Sequence, residues 1–391
     1  MRVVVVGFGL GGLGSAWHVA EQVPDAKITV IGDERPYVRH KLRLVTQGMD
    51  LWVSTRHLES KDVEIILDKV TKIRREQKEV VLSDGRTIPY DYLILATGSN
   101  PTIPSRLKGG ENCAVFRRLE DVQRLIDEKP NEVAIIGASF VALHVADAAR
   151  AIGAKPKVIV RSRLIRRSLE PELSAKLEEF LAERGVEFVH GKPKEVKDSK
   201  VIVDEDKEVS SEMTFVATGV SPEITLAKEA GLELLDGWVI KTDQQGRTSD
   251  PNIFAVGDNA TVIDIFTNKP IYMGIGTAAS IMALNAAKAL TGFKAAYRVP
   301  RFQKDVFFGG VHMASVGLTS VEAQNEGFEA DRVYLSGDGW GDHAYLVYEK
   351  STKRVLGFSA ISKEEVGWKG MEVMMAMIRR WPVNKLGVEV S

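Results

Sequence analysis

Three glycines near the start of the chain have the spacing that a dinucleotide phosphate requires. Gly7, Gly9 and Gly12 follow four valines, Val3 to Val6, which predict a strand buried on both faces. The first glycine allows a tight turn, the second lets the backbone approach a pyrophosphate, and the third lets a helix pack on the strand. Free amides at the start of that helix would bind phosphate. We expect a dinucleotide site here; a glycine-rich turn without a ligand is the alternative.

Acidic and then basic residues follow the next predicted strand, Lys27 to Ile31. Asp33 and Glu34 stand at about the chain distance at which this motif places a carboxylate on an adenosine ribose, and the sequence does not decide between them. A basic stretch then leaves the edge of the sheet where ligands bind. Its residues could face a ligand or form a solvated loop; the candidates are Arg39, His40 and Lys41.

A second copy of the pattern begins after the predicted strand Glu132 to Ile136. Gly137 takes the place of the first glycine, whereas Ser139 and Ala142 replace the second and third. Each replacement adds only a small side chain, so we predict a second dinucleotide fold, with a relic that has lost its ligand as the alternative.

Arginine stands where the second copy would carry an acid. Arg161 follows the predicted strand Lys157 to Val160, and Arg163 lies two residues further on. A carboxylate there binds the ribose 2′-hydroxyl, whereas arginine can pair with a 2′-phosphate through two hydrogen bonds. The sequence therefore predicts NADPH, or at least tolerance of it; a salt-bridged surface is the alternative.

Small or acidic residues also end three other predicted strands. Ala96-Thr97-Gly98 and Ala217-Thr218-Gly219 repeat each other, so the duplication extends beyond the glycine loops, and such residues let the backbone pass close to a ligand. Gly257-Asp258 could reach a ligand hydroxyl or form an ordinary turn. A helix rich in small residues begins near Gly276 and Thr277, and its positive end could stabilise negative charge.

The length and composition of the chain limit the number of domains and the class of protein that these elements can form. The chain has 391 residues, 44% of them hydrophobic, enough for two or three domains. Its 52 lysines and arginines balance 53 acids, so no overall field favours nucleic acid or an anionic membrane. No apolar run approaches 18 residues, and the N-terminal run breaks at Gly7 without a cleavage site. We expect a cytoplasmic protein without a membrane span.

Prolines and glycines that interrupt the run of predicted strands and helices predict three domains. We expect an α/β fold with two Rossmann-like dinucleotide-binding domains, one from residues 1–107 and 238–298 and the other from residues 108–237. Short strands after Pro300 and a helix from about Glu364 to Trp381 predict a C-terminal α+β domain, residues 299–391.

Taken in order, these motifs resemble those of the pyridine nucleotide-disulfide oxidoreductases, flavoproteins with two dinucleotide-binding domains. The resemblance covers about the first three hundred residues, and the C-terminal part resembles the family's dimerisation or interface domain. It implies FAD on the first fold, NADPH or NADH on the second, and a homodimer as an option left open.

The resemblance also assigns roles around FAD. The pyrophosphate would lie at Gly7 to Gly12, the adenosine ribose at Asp33 or Glu34, the ribityl chain at Asp258, and the flavin under the helix at Gly276 and Thr277. Arg39 matches a Pro-Tyr-x-Arg pattern of ferredoxin-reductase-like members. It is, with His40 and Lys41, a candidate for flavin electrostatics or acceptor docking, although we expect no acid-base side chain to be indispensable.

Two departures from the family restrict the activity. Cys113 is the only cysteine, and residues His40 to Leu44, where thiol-dependent members carry theirs, contain none. We therefore expect no thiolate relay and no zinc site built mainly on thiolates, and we assign no residue to a metal. In the second fold, His144 stands where relatives often carry glutamate near the nicotinamide.

These observations predict an FAD-dependent NAD(P)H oxidoreductase that passes electrons directly to a small redox protein, a quinone or dye, or oxygen. Two rivals stay open. One is a nucleotide-bound structural or signalling flavoprotein with incidental turnover. The other is a peripheral membrane quinone reductase held by the C-terminal helix.

Overall fold

The computed structural model describes residues 1–294 and 296–390. Its first elements are β1 (Arg2–Val6), α1 (Leu10–Gln22), β2 (Lys27–Gly32), α2 (Arg56–Glu59), β3 (Val63–Leu67), β4 (Val70–Arg74), β5 (Glu79–Leu82), β6 (Thr87–Pro89), β7 (Tyr92–Leu95), β8 (Ser99–Pro101), α3 (Leu119–Glu128), β9 (Glu132–Ile136), α4 (Phe140–Ala151), β10 (Lys155–Val160) and α5 (Pro171–Ala182).

The remaining strands and helices follow in chain order. They are β11 (Glu187–His190), β12 (Pro193–Lys197), β13 (Lys200–Val203), β14 (Lys207–Ser210), β15 (Met213–Val216), β16 (Val220–Pro222), α6 (Thr225–Glu229), β17 (Leu234–Leu235), β18 (Val239–Ile240), β19 (Ile253–Ala255), β20 (Thr261–Ile263), β21 (Pro270–Tyr272), α7 (Gly276–Leu290), β22 (Phe302–Phe307), β23 (Val311–Gly317), α8 (Ser320–Asn325), β24 (Ala330–Leu335), β25 (His343–Glu349), β26 (Val355–Ser362) and α9 (Gly367–Ile378). Short 3₁₀ segments cover Arg39–Gln47, Gly110–Asn112 and Val383–Leu386.

Contacts divide the chain into two compact units. The first takes residues 1–40, 51–100 and 221–300, and the second takes residues 41–50, 101–220 and 301–391. In the described part of the chain, no helix combines the length and the apolar character that crossing a membrane requires.

A five-stranded parallel sheet, in the order β19-β7-β1-β2-β3, forms the centre of the first unit. Val3, Val4 and Val5 of β1 are at most 1% exposed, as expected for a strand covered on both faces. Because the strands are parallel, their carboxyl ends share one edge, which is where open α/β sheets bind ligands. Antiparallel strands β4, β5 and β6 form a smaller sheet of this unit.

The second unit contains two larger sheets. Parallel strands in the order β11-β10-β9-β15 repeat the arrangement of the first unit, with α4 packed against β9 and β10. Strands β22 to β26 form an antiparallel sheet in the order β22-β23-β26-β25-β24, and α9 packs on it. The predicted α/β class with Rossmann-like parallel sheets is therefore confirmed.

The last helix is shorter than the sequence predicts. Helix α9 begins at Gly367, whose backbone N–H donates to the Glu365 carboxylate, and it ends at Ile378. Arg380 has a φ of 56°, a left-handed conformation that cannot continue a right-handed helix. A side-chain hydrogen bond at the start and a left-handed backbone conformation after the end thus accompany a helix shorter than hydrophobic periodicity predicts.

Candidate functional site

The first glycine loop is built as the sequence predicts. Gly7 has a φ of 118°, and a Cβ on it would lie 2.2 Å from the Ala96 carbonyl oxygen. A Cβ on Gly12 would lie 1.9 Å from the Gly7 carbonyl oxygen. Backbone packing of the loop against β7 and α1 therefore requires glycine at both positions.

Gly9 differs from these two glycines because its missing side chain leaves open space. Apart from its chain neighbours, no heavy atom of the described residues lies within 4 Å of a Cβ built on Gly9. Gly9 immediately precedes α1, and no described side chain caps the amides that begin this helix. Packing therefore does not explain the glycine, whereas an anionic ligand lying against the helix N-terminus does.

A second helix presents its N-terminus beside that of α1. A Cβ on Gly276 would lie 3.0 Å from Leu10, and one on Gly14 would lie 3.4 Å from Ala283, so α1 and α7 run parallel. Gly276 and Thr277 are exposed, and no described side chain caps α7. The positive ends of both helix dipoles lie together, which suits a ligand with negative charge at two places.

Two turns at the carboxyl edge of the sheet are joined by side chains. Ser99 Oγ donates to Asp258 Oδ2 at 3.0 Å. Thr97 Oγ1 donates to the Glu223 carbonyl oxygen at 2.7 Å, and Gly98 has a φ of 73°. Asp258 is partly exposed, so its carboxylate can accept further hydrogen bonds from ligand hydroxyls.

The acidic and basic candidates after β2 form a cluster. Arg39 Nη2 pairs with Glu34 Oε1, Arg39 Nη1 donates to the Tyr37 hydroxyl at 2.5 Å, and that hydroxyl donates to Glu34 Oε2 at 3.0 Å. The Glu34 carboxylate is thus fixed in orientation, while Asp33 is exposed. His40 ends a segment of the first unit, and Lys41, also exposed, begins a segment of the second.

These features fit FAD, which needs anion-binding amides for its pyrophosphate and acceptors for its sugar hydroxyls. The open space at Gly9 and the uncapped start of α1 supply the amides. Asp33 or Glu34 and Asp258 supply carboxylates at the ends of separate strands. The first unit therefore has a donor and acceptor set that matches the expected cofactor.

The second glycine loop keeps the turn but closes part of the phosphate site. Gly137 has a φ of 143°, and a Cβ on it would lie 2.3 Å from the Ala217 carbonyl oxygen. Ser139 Oγ donates to that carbonyl at 2.9 Å and accepts from the Ala142 amide at 3.3 Å. Ala142 is fully buried where helix packing needs a small residue. The serine thus occupies one amide that a glycine would leave for phosphate.

Strand β15 pairs in parallel with β9 and so brings the turn Ala217-Thr218-Gly219 to the sheet edge at which the second glycine loop lies. Gly219 has a φ of 145°, and open space surrounds the position of a Cβ among the described atoms. Thr218 Oγ1 donates to the Thr102 carbonyl oxygen at 2.9 Å. The turn Ala217-Thr218-Gly219 therefore leaves space beside Gly219, and its contact with a ligand stays a prediction.

The two arginines after β10 have different surroundings. Arg161 is exposed and has no hydrogen bond or ion pair with the residues described. Arg163 donates to the carbonyl oxygens of Leu169 and Arg166, at 2.5 and 3.0 Å, and to Ser174 Oγ at 3.2 Å. Arg161 is free to meet a ligand, whereas Arg163 is engaged in holding its own loop.

The second unit contains a buried charged cluster that the sequence motifs do not predict. Arg43 donates from Nε to Asp147 Oδ2 and from Nη2 to Asp305 Oδ1, both at 3.0 Å, and Asp305 Oδ2 lies 2.5 Å from His144 Nε2. Burial raises the pKa of Asp147. Burial also favours a higher pKa for Asp305, but the hydrogen bond and charge of His144 and the charge of Arg43 hold that pKa below its ordinary value.

This cluster ties α4, β22 and residues 41–50 together inside the second unit. The available signal was a histidine and an aspartate in the sequence of α4, whose other residues are apolar except for Arg150 near its end. Charged residues in a buried helix need partners, although the sequence does not say which.

Cys113 is partly buried and directly follows the 3₁₀ segment Gly110–Asn112. Burial and the charge of Glu111 raise the pKa of its thiol to about 11. The thiol lies 4.0 Å from the Gly109 carbonyl oxygen. A thiol with so high a pKa is almost wholly protonated near neutral pH and is a poor nucleophile.

Comparisons with known proteins agree with this geometry. The family model described as pyridine nucleotide-disulphide oxidoreductase matches residues 1–294. An NADH oxidase of Methanocaldococcus jannaschii is 30% identical over 83% of this chain and 77% of its own length. The ferredoxin-NAD⁺ reductase component of a p-cumate 2,3-dioxygenase system of Pseudomonas putida is 27% identical over 99% of this chain and 94% of its own.

A solved structure has the same fold over the whole chain. An engineered water-forming NADPH oxidase bound to NADPH, a mutant of the Lactobacillus brevis NADH oxidase, superposes with a TM-score of 0.87 at 21% identity, over 100% of this chain and 94% of the other. The fold, the two glycine loops and the family match lead to one conclusion: the chain belongs to the pyridine nucleotide-disulphide oxidoreductase family.

Proposed function

We propose that this FAD-dependent NAD(P)H oxidoreductase passes electrons from its reduced flavin directly to an external acceptor, without a protein thiol. Held at Gly7 to Gly12 and Asp258, FAD would supply the hydride-accepting and electron-transferring chemistry. The observation that carries the proposal is that Cys113, the only cysteine of the 391 residues, is not among residues His40 to Leu44 and has a thiol pKa of about 11. The chain's own contribution is to bind both dinucleotides and to orient them.

The relatives support two kinds of acceptor. Some of the matched proteins are named NADH oxidases and others ferredoxin-NAD⁺ reductase components. Others are named coenzyme A-dependent sulfur or persulfide reductases. Without a thiol relay, we propose oxygen or a ferredoxin-type protein as the acceptor that these names support. A quinone and a rubredoxin-type protein stay further proposed acceptors.

We propose NADPH as the preferred electron donor. The engineered NADPH oxidase carries five substitutions, the first of which replaces a glycine by alanine. Counted from that glycine, the aspartate 18 positions further along becomes alanine and the alanine at 19 positions becomes arginine. The methionine at 20 positions becomes serine, and the proline at 25 positions becomes arginine. Counted from Ala142, the same spacing falls here on Val160, Arg161, Ser162 and Arg167. The chain thus lacks the acid and carries both arginines and the serine, a pattern that supports binding of a 2′-phosphate.

The proposal also includes the domain boundaries, the location, the oligomeric state and the roles of three residues. Residues 1–107 with 238–298 would bind FAD, residues 108–237 the nicotinamide dinucleotide, and residues 299–391 would form the interface domain. We also propose a cytoplasmic location and, from the family resemblance, a homodimer. Arg39, His40 and Lys41 stay candidates for flavin electrostatics or for docking the acceptor.

Anaerobic reduction followed by controlled reoxidation tests the central proposal. We expect NADPH to bleach the flavin absorbance within seconds, and oxygen, a quinone, ferredoxin and rubredoxin, each added alone, to restore it at rates that identify the acceptor. Prior alkylation of Cys113 should change none of these rates by more than about twofold. Loss of reoxidation after alkylation would show that the thiol is needed and would reject the proposal.

A nucleotide-bound structural or signalling role is the second candidate, because Ser139 occupies one amide of the second phosphate site. The same experiment separates the two. A flavin that stays oxidised for minutes in excess NADPH and NADH would favour the structural role over the enzymatic one.

A further inference from the structure

Asn259 is a fully buried polar residue between the two turns at the carboxyl edge of the first sheet. Its side chain is 0% exposed, and it directly follows Asp258. Its Nδ2 donates to the Leu95 carbonyl oxygen at 3.0 Å and to Thr97 Oγ1 at 3.1 Å. One amide group therefore joins the end of β7 and the turn after it to the turn after β19.

The neighbours of Asn259 fix which way its amide points. The Leu95 carbonyl can only accept a hydrogen bond, and the Thr97 hydroxyl already donates to the Glu223 carbonyl. Rotating the amide would bring Oδ1 against two acceptors. The nitrogen must therefore face these partners, and Oδ1 must point away from them.

Asn259 Oδ1 is left without a donor. It is buried, and no described residue donates a hydrogen bond to it. Buried acceptors are nearly always satisfied, so an exception calls for a ligand or an ordered water. Asn285, another buried asparagine of the same unit, shows the usual situation: its Nδ2 donates to the Tyr297 carbonyl and its Oδ1 accepts from the Tyr297 amide.

We propose that Asn259 is a positioning residue of the FAD site. Its amide nitrogen fixes the spacing between the turns that contain Thr97 and Asp258. Its Oδ1 accepts a hydrogen bond from a hydroxyl group, either of the FAD ribityl chain or of a water held by the bound FAD. This inference rests on the proposed function, because it requires FAD in the first unit.

The test compares Asn259→Ala with the matched variant Asn285→Ala. FAD is removed from the full-length protein, and its dissociation constant is measured on reconstitution by quenching of flavin fluorescence. We expect Asn259→Ala to raise this constant at least tenfold and to change the visible circular dichroism of bound FAD. Asn285→Ala should lower the melting temperature of the protein while leaving the FAD dissociation constant within about twofold. If Asn259→Ala does not fold, Asn259→Thr replaces it with the same expectation.

FAD analogues that each lack one ribityl hydroxyl identify the donor. If a ribityl hydroxyl bonds to Oδ1, one analogue loses affinity for the unaltered protein but not for Asn259→Ala. If a water does so, every analogue loses the same affinity for both proteins.

The inference is overturned if Asn259→Ala and Asn259→Thr lower the melting temperature as Asn285→Ala does but keep the FAD dissociation constant and the circular dichroism unchanged. Failure to bind FAD by the unaltered protein is a different result, and it would reject the proposed function itself.

Discussion

At the scale of single residues, Cys113 is the side chain whose surroundings most limit its chemistry. Burial and the nearby charge of Glu111 raise the pKa of its thiol to about 11, so the folded protein favours the neutral thiol. We expect iodoacetamide to alkylate Cys113 about a hundredfold more slowly at pH 8 than an exposed cysteine whose pKa is about 9. The rate should keep rising with pH until about pH 11, as mass spectrometry of the labelled peptide can measure.

The sign of this shift also predicts a stability change. Because the folded pKa of Cys113 is raised, its stabilising contribution is complete below the pKa of the unfolded thiol and is lost as the pH rises toward about 11. Cys113→Ser should remove that part of the alkaline destabilisation while keeping NADPH-driven turnover within about twofold. Alkylation that levels off near pH 9 would contradict the raised pKa.

Arg161 and Arg163 lie two residues apart but should behave differently when changed. Arg161 is exposed and free of described partners, so Arg161→Glu should shift the ratio of kcat/KM for NADPH over NADH at least tenfold toward NADH. Arg124→Glu is the matched control, because Arg124 is an exposed arginine of the same unit whose one ion-pair partner among the described residues is Glu128. Steady-state kinetics with both nucleotides measures the ratio, and an unchanged ratio for Arg161→Glu would reject the 2′-phosphate role.

At the scale of elements, two glycines of the first glycine loop are needed for different reasons, Gly12 for packing and Gly9 for ligand binding. A Cβ on Gly12 would clash with the Gly7 carbonyl at 1.9 Å, whereas a Cβ on Gly9 meets open space among the described atoms. We expect Gly12→Ala to destabilise the protein by more than about 2 kcal/mol, because the backbone must move. Gly9→Ala should keep the melting temperature of the FAD-free protein but weaken FAD binding at least tenfold. Equal melting temperatures for the two variants, measured without FAD, would contradict this division.

Elements whose signal is local could be predicted from the sequence. The valine strand, both glycine loops and the turns that end at Gly98 and Gly219 depend on hydrophobic runs and on backbone conformations that glycine favours. The partners of Arg43 could not be predicted, because residue 43 meets residues 147 and 305 only after three separate elements have packed. The hydrogen bonds of Arg163 to its own loop and the unpaired Oδ1 of Asn259 could not be predicted either. Each depends on distances between atoms that no local sequence pattern encodes.

At the scale of the whole molecule, the chain passes repeatedly between two compact units, and each unit has its own glycine loop. A ligand that binds only the folded form of a unit stabilises that unit by mass action, by about 2.7 kcal/mol at a hundred times its dissociation constant. We therefore expect FAD to slow amide hydrogen exchange chiefly in residues 1–40, 51–100 and 221–300, and NADP⁺ to slow it chiefly in residues 101–220. Exchange followed by mass spectrometry on the FAD-free protein, with each ligand added alone, measures both effects. At the three glycine positions the two loops differ only by the small side chains of Ser139 and Ala142. Protection of the same unit by both ligands would show that the second loop has lost its nucleotide, and the direct transfer of electrons from NADPH would then need another binding site.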